Sequence, residues 1–257
     1  MLKSFLKRVV PKKYHPLYHL HTRTIRLSNG LIQKGPFSGM RYHDESYSSG
    51  SCSKFNGTYE QEIQPIIENE INKQYEVFID IGSADGYYSV GMALWSNCSK
   101  IISFECSQKA RILQYKLAVL NKVQERISIR GRCEIEDLKK CLKDFKNALI
   151  LCDIEGYEYE LLNPNLIPDL KKTSLIIEVH NHVWDKMEYE ISKRYKHTHD
   201  IKSFKTRTEF KNSDYCFPNL YYKILPKRYK SYPILDQRLQ ETTYLYLLPN
   251  ATKKSNL

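Results

Sequence analysis

The stretch VFIDIGSADGYYSV, residues 77–90, contains the pattern that decides the fold. An apolar run ends at Asp80, and two glycines, Gly82 and Gly86, follow before a helix-like segment begins. The apolar run predicts a buried strand, because strands of a parallel sheet are covered on both faces. A glycine turn between a strand and a helix lets the backbone approach a ligand closely. We therefore expect a ligand with polar groups at the tip of this strand, beside the Asp80 carboxylate.

Predicted strands and helices alternate from residue 75 to residue 196. The strands are EVFIDI (76–81), KIISFE (100–105), RISIRG (126–131), ALILCD (148–153) and SLIIEVH (174–180), and TTYLYLLP closes the chain. The intervening helices include SQKARILQYKLAVLN, with Ser107 as its N-cap, and EIEDLKKCLKDF. This order predicts an α/β fold, a doubly wound, Rossmann-like, mostly parallel sheet with helices on both faces. Such sheets bind ligands at the carboxyl ends of the strands, near the point where strand order reverses.

The chain of 257 residues is long enough for one large α/β domain with extensions. We predict a basic N-terminal extension, helical or irregular, over residues 1–70 and the cofactor-binding domain over residues 71–257. Residues 206–241 contain three prolines and many tyrosines, and we predict a substrate lid there. The alternative for this segment is an ordinary hairpin whose aromatic side chains pack together.

The net charge of +11 lies mostly in the two flanks of the chain. Residues 1–43 hold nine Lys or Arg and no acidic residue, and residues 201–257 hold eleven against four. Basic flanks indicate an anionic partner such as a phospholipid surface, a nucleotide-linked substrate or nucleic acid, and the alternative is a solvated basic surface. The first residues, MLKSFLKRVVP, combine helical apolar spacing with cations. They predict either a short interfacial helix on anionic lipid or a helix packed on the protein's own body.

Cysteine usage and hydropathy indicate the compartment. The chain has seven cysteines, an odd number, and none are spaced as C-x-x-C, so we predict neither a disulfide framework nor a zinc site. We predict no membrane-spanning segment, because a run of about eighteen apolar residues is absent from the sequence. The expected location is the reducing cytoplasm, either free or peripheral at the cytoplasmic membrane face through the basic N-terminus.

Glu105 ends the second predicted strand and follows the glycine turn by about twenty residues, the spacing of a ribose-binding carboxylate. Its two oxygens can accept hydrogen bonds from both ribose hydroxyls. The dinucleotide fingerprint G-x-G-x-x-G is not matched, because the turn is Gly82-x-x-x-Gly86 with Ala84 between them. The residues therefore favour an adenosine-type cofactor without a pyrophosphate-binding turn. The alternative is three unrelated loop residues.

Two further strand ends bring carboxylates and a histidine to the same edge of the sheet. ALILCDIEGYEYELL places Asp153 at the end of its strand and Glu155 just after it. SLIIEVHNH places Glu178 and His180 at the neighbouring strand end. His180, whose ordinary pKa is near 6.5, is a candidate general base. Alternatively, these four side chains hold a divalent cation such as Mg²⁺ that orients a hydroxyl, or the last two only make structural hydrogen bonds.

The assembled pieces resemble the FkbM-type group of class I S-adenosylmethionine-dependent methyltransferases. The matching segments run from residue 57 to residue 180 and are GTYEQEI, FIDIGSADGYYS, ISFECSQ, CDIEGYEYELL and IIEVH. The element D-I-E-G-x-E at Asp153 to Glu158, followed by I-E-V-H, is the most specific of them. Members often have His after the glycine, where this chain has Tyr157. The resemblance implies a class I methyltransferase fold with S-adenosylmethionine as the cofactor.

The resemblance also implies which residues hold the cofactor. Asp80 and the two glycines of the turn cradle the methionine moiety, and Glu105 holds the ribose. Asp153 lies near the sulfonium. The full implied set is Tyr59, Glu60, Asp80, Gly82, Ser83, Ala84, Asp85, Gly86, Glu105, Cys106, Ser107, Arg132, Cys133 and Asp153.

Three parts of this set lie at the margins of the cofactor. Cys106 and Ser107 are expected beside the adenine, and the segment from Arg132 to Glu134 is a candidate for its other edge. Tyr59 and Glu60 are expected to close over the methionine end. Members of the group are generally thought to methylate hydroxyls, often of sugars or secondary metabolites, which requires a base to remove the hydroxyl proton.

We therefore predict O-methylation of a sugar, a glycan or a related small molecule, with or without a phosphate group. The catalytic residues are expected to be Asp153, Glu155 and His180. One alternative is a nicotinamide-dependent oxidoreductase, which the incomplete glycine fingerprint disfavours. Another is a nucleic-acid-modifying methyltransferase, disfavoured because the sequence has no N-P-P-Y element and no recognition motif, so nucleic acid is not expected as a partner. The last is a non-catalytic protein, which the intact strand-end carboxylates disfavour.

Overall fold

The computed structural model of the chain describes residues 16–45, 50–206, 209–217, 220–231, 234–235 and 242–250. The chain divides into two compact units, one made of residues 1–61 and 207–239 and the other of residues 62–206 and 240–257. The boundary at residue 70 and the lid role of residues 206–241 stay predictions. The amphipathic stretch MLKSFLKRVVP lies outside the described residues.

The second unit is built around a single sheet. Its strands are β1 (Val77–Ile81), β2 (Lys100–Phe104), β3 (Ile127–Arg130), β4 (Ala148–Cys152), β5 (Ser174–Val179), β6 (His199–Lys205) and β7 (Thr243–Pro249). They form a seven-stranded sheet in the order β3-β2-β1-β4-β5-β7-β6. The first five strands are parallel, whereas β7 is antiparallel to both β5 and β6. The predicted fold class, a doubly wound, Rossmann-like and mostly parallel sheet, is confirmed.

The register aligns the carboxyl ends of the central strands. Ile81 of β1 pairs with Phe104 of β2 and with Cys152 of β4. Cys152 in turn pairs with Ile177 of β5. The residues that follow these pairs therefore leave the sheet along one edge. The strand order reverses between β1 and β4, which is the place where doubly wound sheets bind ligands.

Both units contain helices, and those of the sheet region alternate with the strands as predicted. They are α1 (Pro16–Ser28), α2 (Ser51–Asn56), α3 (Gln64–Ile71), α4 (Tyr87–Trp95), α5 (Gln108–Leu120), α6 (Ile135–Lys143), α7 (Glu158–Leu161), α8 (Met187–Tyr195), α9 (Leu220–Ile224) and α10 (Lys227–Lys230). Ser107 caps α5 as predicted, since its Oγ accepts the N–H of Ala110 at 3.4 Å. Leu138 and Leu142 of α6 are buried in the main core with residues of the strands.

The edge strand β6 has no counterpart in the sequence prediction. Its sequence, HDIKSFK, contains two lysines and an aspartate, and it pairs with β7 at the edge of the sheet. Charged residues are common on edge strands, where they discourage pairing with other chains. A polar edge strand lacks the continuous apolar run by which the central strands are identified.

The first unit has a small core of its own. The core residues are Leu20 of α1 together with Tyr215, Phe217, Tyr222, Leu225 and Ile234. The rings of Tyr215 and Tyr222 stack with their centroids 4.2 Å apart, and the hydroxyl of Tyr215 lies 2.9 Å from Thr24 Oγ1 of α1. Several tyrosines of the predicted lid segment are therefore packing residues. Among the described residues, no helix combines the length and the apolar character needed to cross a bilayer.

Candidate active site

The glycine turn after β1 has the backbone conformation that its sequence predicts. Gly82 has a φ of +86° and Gly86 a φ of +90°, in the region where residues with a Cβ are strained. A Cβ on Gly82 would lie 1.6 Å from the carbonyl oxygen of Asp153. A Cβ on Gly86 would lie 2.5 Å from Cγ of Gln114. The turn thus needs glycine at both positions, and at Gly82 it brings the ends of β1 and β4 into direct contact.

Acidic side chains surround this turn. Asp80, which is 1% exposed, accepts a hydrogen bond from Ser89 Oγ of α4 at 2.5 Å. Asp85, within the turn, is equally buried. The segment 80–86 carries these two carboxylates and no Lys, Arg or His. Residues 80–86 therefore carry a net negative charge, which favours a cationic ligand group nearby and opposes a phosphate.

Glu105 connects the glycine turn to the end of β2. Its Oε2 accepts the N–H of Ala84 at 2.9 Å, and its Oε1 accepts the N–H of Ser107 at 2.7 Å. Ala84 has a φ of +45°, which turns its N–H toward the carboxylate side of the loop. An ionised carboxylate offers about four acceptor sites. The thiol of Cys106, a weak donor, also lies 3.5 Å from Oε1. Glu105 can therefore accept two ribose hydroxyls while it holds the loop, one of them in place of the Cys106 thiol.

The backbone after Glu105 is held by α5. Arg111 Nη1 donates to the carbonyl oxygen of Glu105 at 2.7 Å and to that of Cys106 at 2.8 Å. Ser83 of the glycine turn donates to Oε1 of Gln114, also on α5, at 3.1 Å. One helix therefore orients both segments that are predicted to bind the cofactor.

Glu158 and His180 form a buried pair at the neighbouring strand ends. Glu158 is 0% exposed, and its Oε1 lies 2.8 Å from His180 Nδ1. The same oxygen accepts the N–H groups of Ile154 and Gly156, each at 3.1 Å. The carboxylate is thus the natural acceptor for a proton on Nδ1, which leaves Nε2 as the atom that can exchange a proton.

The other ring nitrogen of His180 faces two predicted catalytic carboxylates. Its Nε2 lies 3.3 Å from Glu155 Oε2 and 3.5 Å from Asp153 Oδ1. The side chain of Glu155 is 80% exposed, so it lies at the protein surface, and the φ of this residue is +59°. One potential ligand atom from each of these three residues lies within 4.8 Å of the others. The structure therefore brings together the three residues predicted for catalysis.

Glu178 lies outside this group of three. Its Oε1 accepts a hydrogen bond from Thr242 Oγ1 and its Oε2 from the hydroxyl of Tyr244, both at 2.9 Å. Both donors belong to the C-terminal part of the chain, at the start of β7. Of the two predictions for Glu178, cation ligand or structural hydrogen bonds, the structure shows the hydrogen bonds.

The charges around His180 decide its proton affinity. Burial alone lowers the pKa of His180, but the hydrogen bond and charge of Glu158, followed by the charges of Glu178 and Glu155, raise it above the ordinary value of 6.5. Burial alone raises the pKa of Glu158, but the hydrogen bond and charge of His180, aided by backbone N–H groups, lower it below 4.5. The two shifts agree in describing an attractive pair of opposite charges.

The segment after β3, predicted to line one edge of the adenine, has one buried and one exposed side chain. Cys133 is 5% exposed and packs in the main core, where burial raises the pKa of its thiol. Arg132 is largely exposed, with its Nε 3.0 Å from Glu134 Oε1 and its guanidinium 5.5 Å from the ring centre of Tyr157. The side chain of Cys133 therefore packs against the main core, and its predicted contact with the adenine stays a prediction.

Tyr59 and Glu60 belong to the first unit. The ammonium of Lys54 lies 4.8 Å from the ring centre of Tyr59. Glu60 is 3% exposed and has a φ of +46°. Their predicted closure over the methionine end stays a prediction.

Sequence reasoning missed Glu158 as a site residue. It is the last letter of D-I-E-G-x-E, the most specific of the matching elements, yet no role was assigned to it. The available signal was a carboxylate at the start of a helix, where it can accept backbone N–H groups. Its pairing with His180 spans 22 residues and depends on the fold.

No protein-family model matches the chain, and no curated protein matches it. Among solved structures, an O-methyltransferase from Bacillus cereus in complex with SAH is 13% identical, with a TM-score of 0.41, and the match covers 67% of this chain and 74% of that one. The precorrin-6y C5,15-methyltransferase from Geobacter metallireducens is 11% identical, with a TM-score of 0.47 and coverages of 74% and 88%. A precorrin 8W decarboxylase from Methanobacterium thermoautotrophicum is 10% identical, with a TM-score of 0.46 and coverages of 72% and 89%. Identities this low leave the chemistry to be argued from the site itself.

Proposed function

We propose that this chain is an S-adenosylmethionine-dependent methyltransferase that methylates a hydroxyl oxygen. The observation that carries the proposal is the acidic glycine turn joined to the strand-end carboxylate of Glu105. Two buried aspartates, Asp80 and Asp85, and no cation lie in that turn. The arrangement suits a cofactor that has a ribose and cationic groups but no phosphate.

Glu105 suits the ribose because each of its two oxygens accepts only one backbone N–H. The N–H groups of Ala84 and Ser107 hold the two oxygens from the loop side, at 2.9 and 2.7 Å. Oε2 keeps capacity for one more hydrogen bond, and Oε1 gains it when a hydroxyl displaces the weak thiol donor of Cys106 at 3.5 Å, so the two hydroxyls of a ribose can be held together. Charge-assisted hydrogen bonds of this kind are about twice as strong as neutral ones.

The charge of the turn distinguishes the candidate cofactors. A dinucleotide needs an uncovered helix N-terminus or a cation for its pyrophosphate. Here the turn before α4 holds Asp80 and Asp85, and the side chain of Gln114 covers Gly86. S-adenosylmethionine carries a sulfonium and an ammonium, which the carboxylates stabilise. The same charges disfavour the alternative of a nicotinamide-dependent oxidoreductase.

S-adenosylmethionine supplies, when bound, a methyl group that a nucleophile can attack directly. The residues of this chain must then orient the acceptor oxygen and take its proton. Nε2 of His180 is the proposed acceptor of that proton, because Glu158 holds Nδ1 at 2.8 Å. The bound cofactor would supply the methyl group to the oxygen and keep the electrons of its carbon–sulfur bond, while His180 would take the hydroxyl proton. Asp153 and Glu155, at 3.5 and 3.3 Å from Nε2, stabilise the imidazolium that results.

The acceptor is proposed to be a hydroxyl of a sugar, a glycan or a related small molecule. The resemblance of residues 57–180 to methyltransferases of this kind supports it. The excess of basic residues in the flanks supports an acceptor that bears phosphate. A reducing, cytoplasmic location is proposed from the cysteines, all seven of which are free thiols in the structure.

The same side-chain atoms could instead bind a divalent cation such as Mg²⁺. Asp153, Glu155 and His180 offer ligand atoms within 4.8 Å of one another, and Glu158 would hold the other ring nitrogen as a carboxylate does behind many metal-bound histidines. Such an ion would orient the acceptor hydroxyl in place of a free imidazole base. Loss of methyl transfer in EDTA and its recovery with Mg²⁺ would support the metal, and full activity in EDTA would leave His180 as the base.

The experiment that tests the cofactor is calorimetric titration of the protein with S-adenosylhomocysteine, repeated with NADH. Micromolar binding of the first alone, about −8 kcal/mol, is the expected result. Binding of NADH alone would contradict the proposal and make residues 80–86 a dinucleotide turn. Binding of neither would favour a non-catalytic protein that kept the fold.

A further inference from the structure

The net charge of the chain is confined to one of its two units. Residues 1–61 and 207–239 hold seventeen Lys or Arg against six Asp or Glu. Residues 62–206 and 240–257 hold twenty-three of each. The unit that contains the sheet and the candidate active site is therefore neutral, and the first unit carries the whole excess of eleven positive charges. An excess this local favours binding of an anionic ligand or surface by that unit.

The same unit exposes two large apolar side chains on one short helix. Leu220 is 75% exposed and Ile224 is 72% exposed. They are the two most exposed large apolar residues in the described part of the chain. Single exposed apolar residues are ordinary on protein surfaces, but a close pair at this exposure marks a surface that contacts something.

Helix α9 has an inner and an outer face. Tyr222 and Leu225 are buried in the small core of the first unit, at 5% and 8% exposed. Leu220 and Ile224 are four residues apart and therefore lie together on the opposite, outer face. The exposed Lys223 lies between them in sequence and on the same side. The outer face thus alternates apolar and cationic groups.

The next helix begins with a further exposed cation. Lys227, the first residue of α10, is exposed, and the helix continues through Arg228 to Lys230. The ammonium of Lys230 donates to the carbonyl oxygen of Lys223 at 3.0 Å, which holds the two helices together. We call Leu220, Lys223, Ile224 and Lys227 the outer face of the first unit.

We propose that this outer face docks on an anionic phospholipid surface. The two apolar side chains would enter the boundary between headgroups and acyl chains, while the lysines bind the lipid phosphates. Charge alone would equally suit a nucleic acid, but Leu and Ile give a nucleic acid neither a stacking surface nor a hydrogen bond. The proposal is independent of methyl transfer, because it uses no residue of the candidate active site.

The test is co-sedimentation of the full chain with two kinds of vesicle, phosphatidylcholine alone and phosphatidylcholine with phosphatidylglycerol. The expected result at about 0.1 M salt is binding to the anionic vesicles at least about tenfold stronger than to the neutral ones. Salt at about 1 M should release most of the protein, since it shortens the Debye length to about 3 Å.

Two paired variants assign the binding to the outer face. Leu220→Glu with Ile224→Glu, and separately Lys223→Glu with Lys227→Glu, should each weaken binding to anionic vesicles by about tenfold or more. The matched control is Ile112→Glu with Val119→Glu on α5, where the side chains are 49% and 46% exposed and belong to the neutral unit. It should bind as the unchanged chain does. Thermal melts followed by circular dichroism check that all three variants keep their fold.

The result that overturns the proposal can take several forms. Absence of binding to anionic vesicles, or equal binding to neutral ones, would do so. An equal loss in the α5 control, or no loss in the two outer-face variants, would remove the outer face as the docking surface. Preferential binding of a single-stranded RNA oligonucleotide that the outer-face variants also lose would assign the surface to nucleic acid instead.

Discussion

Glu105 and Glu158 are two buried glutamates at the same edge of the sheet, and they differ in how their oxygens are used. Glu105 accepts one backbone N–H on each oxygen, from Ala84 and Ser107. Glu158 accepts its two backbone N–H groups on Oε1, which also lies 2.8 Å from His180. Its Oε2 has no hydrogen-bond partner among the described residues.

The difference separates a binding role from a positioning role. Glu105 is 7% exposed and accepts, besides one backbone N–H on each oxygen, only the weak thiol donor of Cys106, so it can reach a ligand at the edge. Glu158 is 0% exposed and can act on a ligand only through the imidazole of His180. We therefore propose different roles for two residues of one type, because the surrounding donors leave one of them open and enclose the other.

The substitution with the largest expected effect is His180→Ala, which removes the side chain that Glu158 is proposed to position. The proposed general base is lost, so kcat should fall about a thousandfold, whereas affinity for S-adenosylhomocysteine should stay nearly unchanged. Stopped assays of methyl transfer and calorimetry measure the two effects. The matched control is His182→Ala, whose exposed ring lies 5.5 Å from that of His180 and which should keep its activity. An unfolded His180→Ala protein would mean that the histidine is structural.

Gly82→Ala tests the contact that joins the two halves of the edge. The new Cβ would lie 1.6 Å from the Asp153 carbonyl oxygen at a φ of +86°, so the free energy of unfolding should fall by about 3 kcal/mol. Urea denaturation measures the change. Gly131→Ala is the control, since nothing lies within 4 Å of a Cβ there, and equal losses in the two variants would contradict the steric account.

Glu105→Ala tests the proposed binding role of Glu105. Two charge-assisted hydrogen bonds to the ribose are lost, so affinity for S-adenosylhomocysteine should fall about a hundredfold. Calorimetric titration gives the dissociation constant. Glu136→Ala, at a side chain that is 81% exposed on α6, should bind as the unchanged protein does. An unaltered affinity in Glu105→Ala would place Glu105 outside the cofactor site.

Glu158→Gln tests the proposed positioning role of Glu158, and its effect on activity should be the smallest of the four. The imidazole keeps a hydrogen-bonding neighbour but loses a negative charge, so kcat should fall about tenfold with cofactor affinity unchanged. His180 must be neutral to accept a proton, so activity rises with pH through its pKa. That pKa is raised above 6.5 in the unchanged protein, and the variant's acidic limb should move to lower pH. A pH–rate profile with an unmoved limb would remove Glu158 from the mechanism.

The same pair makes a prediction about stability. The raised pKa of His180 contributes stability that is complete below 6.5 and is lost as pH rises through the folded-state pKa. The lowered pKa of Glu158 contributes stability that is present above 4.5 and is lost as pH falls through its folded-state pKa. The stability difference between the unchanged protein and Glu158→Gln should therefore be largest between those two folded-state values. Urea denaturation at a series of pH values measures it.

Much of the sheet, and the carboxylates at its edge, could be predicted from the sequence. The apolar runs of the five parallel strands are local signals, and so is the Ser107 cap of α5. Parallel strands end at one edge, so the sequence predicts that Asp80, Glu105 and Asp153 lie near one another. The polar edge strand β6 escaped prediction because it lacks a continuous apolar run.

The strands, the glycine turn and the carboxylates that reach the edge can be identified from residues that are neighbours in the chain. The hydrogen bonds that those carboxylates form depend on segments that meet only in the folded protein. Glu178 is bound by Thr242 and Tyr244, which lie 64 and 66 residues away, and Glu158 is paired with His180 across 22 residues. A hydrogen bond between distant segments depends on how the strands are ordered and registered, and no local pattern encodes that geometry.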